Sequence, residues 1–187
     1  LWQCHFDQGI RRIEVTVLPR QCLVGSAVAI PTAACSPALN WRTVSLEGLD
    51  GLLPCKPDHA ERRVQLGVVD TALRMSGCEA SGALYAISHV RVEDPAQREA
   101  SKRAWRQATF STLQADVGTA VPHPADRQQG KMTPNPEQIE GRRPDGSPVQ
   151  AQIVWLSKGA DIYQVAVYAS KLDKEKTELL FSELRLQ

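Results

Sequence analysis

Val149-Gln150-Ala151-Gln152-Ile153-Val154-Trp155-Leu156, then Ser157-Lys158-Gly159-Ala160, then Asp161-Ile162-Tyr163-Gln164-Val165-Ala166-Val167-Tyr168-Ala169 is the stretch on which the fold turns. β-Branched and aromatic residues fill both flanks, and a short connection containing Gly159 joins them. That pattern predicts a β-hairpin, the strongest in the chain. Before it, Glu137 to Arg143 reads as another strand, closed by the turn Arg143-Pro144-Asp145-Gly146. After it, Leu172 to Leu184 reads as a helix capped by Asp173. Leu180 and Leu184 lie one turn apart there, with Phe181 beside them.

Further upstream, Trp41 to Leu46 alternates like a half-buried strand, and Gly48, Asp50 and Gly51 read as turns. Leu52-Leu53 is a short apolar piece ended by Pro54 and Pro57. Val64-Gln65-Leu66 alternates again, and Asp70 interrupts. Thr71 to Ser76 and Ala83 to Val92 flank the turn-rich Gly77 to Gly82, which predicts a second hairpin. Asp94-Pro95 then signals a helix start, running to about Val117. Ala100, Ala104, Ala108 and Thr112 share four-residue spacing on it, as do Trp105 and Thr109. Residues 119–136 hold five prolines and glycines among polar residues and predict a long mobile loop. The whole predicts an α+β fold: an antiparallel sheet of about six or seven strands packed by two main helices, in the order β-β-β-β-α-β-β-β-α.

Composition narrows the partners. The chain has 187 residues, 42% hydrophobic, 23% charged, with a formal net charge of +1. There is enough apolar material for a real core. Lys and Arg are interleaved with Asp and Glu, and aromatics are only 5%. Neither the basic stripe nor the stacking platform of a nucleic-acid binder is present, so no nucleic acid is expected as partner.

Residues 1–38 read as a signal or leader segment with its linker, and 39–187 as a single domain. Arg11, Arg12 and Arg20 precede an apolar run from Cys22 to Ala34. The run has the length of a signal-peptide core and is short for a membrane span. Thr32-Ala33-Ala34 before Cys35 supplies the small residues that a signal peptidase accepts, with Ser36-Pro37-Ala38 a second choice. Thr-Ala-Ala-Cys also resembles the lipobox of bacterial lipoproteins, which makes Cys35 a candidate for lipidation. Thr32 departs from the Leu, Val or Ile that the lipobox prefers. Removing the leader takes Cys4 and Cys22 with it. If Cys35 carries lipid, Cys55 and Cys78 remain as a candidate disulfide in an oxidising compartment. Two free buried thiols are the alternative. Cys55, His59 and Cys78 together supply only three zinc ligands, and no Cys-x2-Cys element completes them.

The hairpin ending in Tyr163-Gln164-Val165, the following helix with Phe181, and Ser182-Glu183-Leu184-Arg185-Leu186 resemble the close of a PsbP-like α+β domain. That domain occurs in an uncharacterised proteobacterial periplasmic and lipoprotein family. Leu53-Pro54-Cys55-Lys56-Pro57-Asp58 and Met75-Ser76-Gly77-Cys78 resemble its opening. The likeness spans most of Trp41 to Leu186. It implies a fold and an envelope location, and carries no catalytic residue with it.

Known catalytic patterns are missing from the sequence. There is no Gly-x-Ser-x-Gly elbow, no phosphate loop of the Walker type and no dinucleotide fingerprint. His89 reads as structural inside a strand, and His59 as an exposed loop residue. Trp105, Trp155, Tyr163 and Tyr168 read as core. The resulting expectation is an exported protein, periplasmic or lipid-anchored at the membrane. It is expected to be non-enzymatic, without cofactor or metal, binding or assembling with an unknown envelope protein. The alternatives are a periplasmic module binding a small ligand between sheet and helix, with the 119–136 loop as lid, and a divergent hydrolase.

Overall fold

The computed structural model describes residues 39–115, 121–122 and 136–187. The expected leader over residues 1–38, with Cys35, and all of the proline-rich loop except Val121-Pro122 and Pro136 lie outside the described residues. The elements in chain order are β1 (Arg42–Leu46), β2 (Leu49–Leu53), β3 (Asp58–Leu66), β4 (Val69–Ala80), β5 (Ala83–Arg91), α1 (Arg98–Thr112), β6 (Val121–Pro122), β7 (Glu137–Arg142), β8 (Pro148–Lys158), β9 (Asp161–Ala169), α2 (Lys174–Ser182) and β10 (Arg185–Leu186). The fold is α+β and mostly sheet.

The main sheet is antiparallel, ordered β3-β4-β5-β9-β8-β7-β6, with β6 contributing two residues at one end. Its centre is β5 against β9, paired from Ala83↔Ala169 to Arg91↔Asp161. The β8–β9 hairpin forms as the sequence predicts, with Lys158 opposite Asp161. A smaller sheet, β1-β2-β10, covers one face of the large one.

The two faces bury different cores. Alternation along a strand sends successive side chains to opposite faces. Tyr85, Ile87, Val165 and Val167 therefore meet Leu49, Leu53, Leu180 and Phe181 from the small sheet and α2. The other face belongs to α1. There Phe110 packs on Ile139, Ile153 and Ala166, and Trp105 on Leu73, Val90 and Ile162. The molecule is three layers: α1, the main sheet, then the small sheet with α2.

Several expectations need correction. Among the described residues five strands precede α1, not four; four follow it before α2, and a tenth strand lies beyond α2. Asp50 and Gly51 are not a turn. They lie inside β2, opposite Ser45 and Val44, and the turn is Glu47-Gly48 with φ of 48° and 89°. A glycine inside a strand often marks close approach. A Cβ on Gly51 would stand 3.0 Å from Ile87 Cδ1 and 3.1 Å from Leu184 Cδ2. Gly77-Cys78-Glu79-Ala80 likewise continue β4, and only Ser81-Gly82 turn. Asp94 caps a preliminary turn, accepting the Ala96 N–H at 2.9 Å, and α1 starts at Arg98 and stops at Thr112. Its buried stripe is Ser101, Trp105 and Thr109 with Phe110, one residue off the alanine stripe. α2 ends at Ser182 because Arg185-Leu186 pairs with β2 instead of extending the helix.

Candidate ligand-binding cleft

A cleft of about 410 Å³ opens where the start of β5 and the end of β9 pass beneath α2. Ala83, Tyr85, Val167, Ala169 and Leu172 give it an apolar floor and side. Ser81, Lys171, Asp173, Lys176 and Thr177 supply polar groups around them. Its size falls within the range of small-molecule sites, and its lining is about evenly shared between apolar and polar residues.

Local rules place each wall. Ser81 sits in the hairpin turn with φ of 50°, so it stands at the sheet end. Tyr85 is two residues into β5 on the face toward the small sheet. It is buried, with Trp41 edge-on at 6.3 Å between ring centroids. Burial, reinforced by the Asp173 carboxylate, pushes the Tyr85 hydroxyl above its ordinary pKa, so it stays protonated. Asp173 is the N-cap of α2, accepting the Glu175 N–H at 3.2 Å, and it pairs with Lys176 at 3.0 Å. The hydrogen bond from Lys176, with lesser help from its charge and from two backbone N–H groups, holds the Asp173 carboxyl below the usual aspartate range. The Leu172 N–H is tied to Gln150 Oε1 at 2.9 Å, which fixes the approach to the helix.

Cys55 and Cys78 are joined as a disulfide, with Cα atoms 6.0 Å apart. Both sulfurs are thereby spent, and neither is a thiolate for zinc. Cys78 lies directly opposite Tyr85 in the β4–β5 register, so the bridge braces the strand behind the cleft. No group of three or more metal-ligating side chains occurs among the described residues.

The histidines fall elsewhere. His59 is not in a loop but on β3, its Nδ1 2.8 Å from Ser76 Oγ. A histidine beside a serine is the start of an activated nucleophile. Ser76 is 0% exposed, so its hydroxyl cannot meet a substrate where it stands. His89 is buried, with Nε2 2.9 Å from Asp161 Oδ1 and its ring 5.0 Å from that of Tyr163. Arg91 holds both oxygens of the same carboxylate at 3.1 Å. His89 Nδ1 has no hydrogen-bond partner among the described residues. Nε2 meets the Asp161 carboxylate and Nδ1 lies among packed side chains, a structural arrangement. His5 and His123 lie outside the described residues.

The aromatic residues Trp105 and Trp155 pack edge-to-face at 5.2 Å, and the Tyr163 hydroxyl donates to the Glu47 carbonyl. Both contacts belong to the core. A second void, about 20 Å³ beneath α1, is lined by Ser88, Thr109 and Gln164 among others and has room for one water. Sequence reading did not single out Lys171, Leu172 or Tyr85. No spacing signals them, because the cleft exists only once β5, β9 and α2 converge.

Compared with known proteins, the sequence matches no family model and no curated protein. No helix among the described residues is long and apolar enough to cross a membrane.

Proposed function

We propose that this chain is an exported envelope protein whose α+β domain binds a small molecule in the cleft beneath α2, without chemistry of its own. The cleft carries the reading: an apolar floor and side of Ala83, Tyr85, Val167, Ala169 and Leu172 with as many polar groups around them. The disulfide supports the compartment, since such bonds persist where thiols are not kept reduced. The leader and Cys35 add the mode of export, and a lipid on Cys35 would hold the cleft at a membrane surface. Kinship with the PsbP-like envelope group belongs to the same proposal, supported by the β8–β9 hairpin and the helix that follows it.

A thermal-shift screen of the oxidised full chain against several hundred metabolites tests the binding. One chemical class should raise Tm in a concentration-dependent way, as mass action requires of a ligand that binds only the folded state. A flat response across the library contradicts the reading. The mass of the protein recovered from its native host tests the export. Loss of the leader before Cys35 is expected, with or without added lipid, and an intact leader contradicts it.

A further inference from the structure

We infer that the cleft takes small amphipathic anions, an apolar body ending in one carboxylate, and that Lys171 is the group that reads the charge. This rests on the cleft being the binding site.

The charge ledger of the lining points one way. Asp173 is the only carboxylate among its described lining residues, and it is committed twice, to the Glu175 N–H and to the Lys176 ammonium. Its negative charge is neutralised within the wall. Tyr85 is a protonated donor, and Ser81 and Thr177 are neutral. Lys171 remains, with no ion pair or hydrogen bond among the described residues. The lining therefore carries one cation without a counter-charge, at the edge of a floor made by Ala83, Val167, Ala169 and Leu172.

Each class of ligand meets that edge differently. A cation would be repelled by Lys171 and would find Asp173 already paired. A neutral molecule gains the floor and leaves the ammonium to water. An amphipathic anion gains both, because an ion-paired hydrogen bond is stronger than a neutral one. The volume, about 410 Å³, lies in the range of small-molecule sites and suits a medium-chain or single-ring acid.

Isothermal titration of the full chain with octanoate, 1-octanol and octylamine separates these cases at equal chain length. Octanoate should bind tightest, with 1-octanol about tenfold weaker, the ratio expected for losing one charged hydrogen bond. Octylamine should bind more weakly still. Lys171→Gln should bring octanoate down to the level of 1-octanol and leave 1-octanol unchanged, while Lys171→Arg retains octanoate. Lys171 is exposed, so these variants should fold as the parent does. Equal binding of octanoate and 1-octanol, tighter binding of octylamine, or no effect of Lys171→Gln overturns the inference and leaves the cleft reading standing. If none of the three binds while other compounds in the screen do, the inference alone falls. If nothing binds in either experiment, both fall.

Discussion

Gly141 shows how little room a single position can have. It lies in β7 under the end of α1, and a Cβ there would stand 2.2 Å from the Leu113 carbonyl oxygen. That oxygen also accepts the Arg142 N–H at 2.7 Å. Backbone meets backbone, so neither side can yield by a rotamer change. Gly141→Ala should cost about 2–3 kcal/mol, the upper part of the overpacking range, read as a lowered urea midpoint. An unchanged midpoint would show that α1 does not end where described. His89 sets a contrast. His89→Leu removes the Nε2–Asp161 bond while largely keeping the packing, and Asp161 keeps Arg91. His89→Ala leaves a cavity as well. The first should cost less than about 1.5 kcal/mol and the second about 2–4 kcal/mol, measured by the same denaturation. Equal costs would mean that the His89–Asp161 bond, not packing, is what the site needs.

At the scale of elements, the disulfide and α2 decide the cleft. The bridge closes a sequence separation of 23 residues, for which chain entropy predicts about 3 kcal/mol of stabilisation. The double variant Cys55→Ser, Cys78→Ser should lose about that much in urea. Because Cys78 stands opposite Tyr85, it should also bind cleft ligands more weakly. Full affinity in the reduced form would uncouple the bridge from the site. α2 hangs on its cap. The Asp173 carboxyl is held below its ordinary value of about 3.9 by Lys176 and nearby backbone N–H groups, so folding favours its charged form. Its contribution is full above that ordinary value and is lost as pH falls through the lower folded one. Asp173→Asn should flatten the acid limb of the stability curve, and ligand binding should weaken over the same low-pH window. An acid limb identical in parent and variant would remove Asp173 from that role.

The whole molecule shows what could and could not be read from residues. Strands with strong local chemistry were legible: Val149 to Ala169 with its Gly159 turn, and Ala83 to Val92. So was the cap at Asp173. What failed were places where tertiary contact overrode a local cue. Asp50-Gly51 carries a turn signature, yet Gly51 serves close approach to Ile87 and Leu184 inside a strand. Gly77 has the same character, its Cβ position 2.9 Å from the Tyr85 carbonyl oxygen. The helix read from Leu172 to Leu184 stops at Ser182, and Arg185-Leu186 beyond it pair with β2. Pairing of Cys55 with Cys78 was anticipated from counting, as one of two outcomes, and the register of β4 shows how it reaches the core. The cleft was anticipated only as a space between sheet and helix. Its lining comes from three distant segments, and no periodicity joins Ser81 to Lys176.

Binding in the space beneath α2 is tested by backbone amide NMR of the isotopically labelled full chain, titrated with the most stabilising compound from the screen. Shifts should concentrate on Ala83, Tyr85, Val167, Ala169 and Leu172 and follow one saturation curve. Shifts centred instead on the α1 face, around Ser88, Thr109 and Gln164, would place binding elsewhere and overturn the assignment of the cleft.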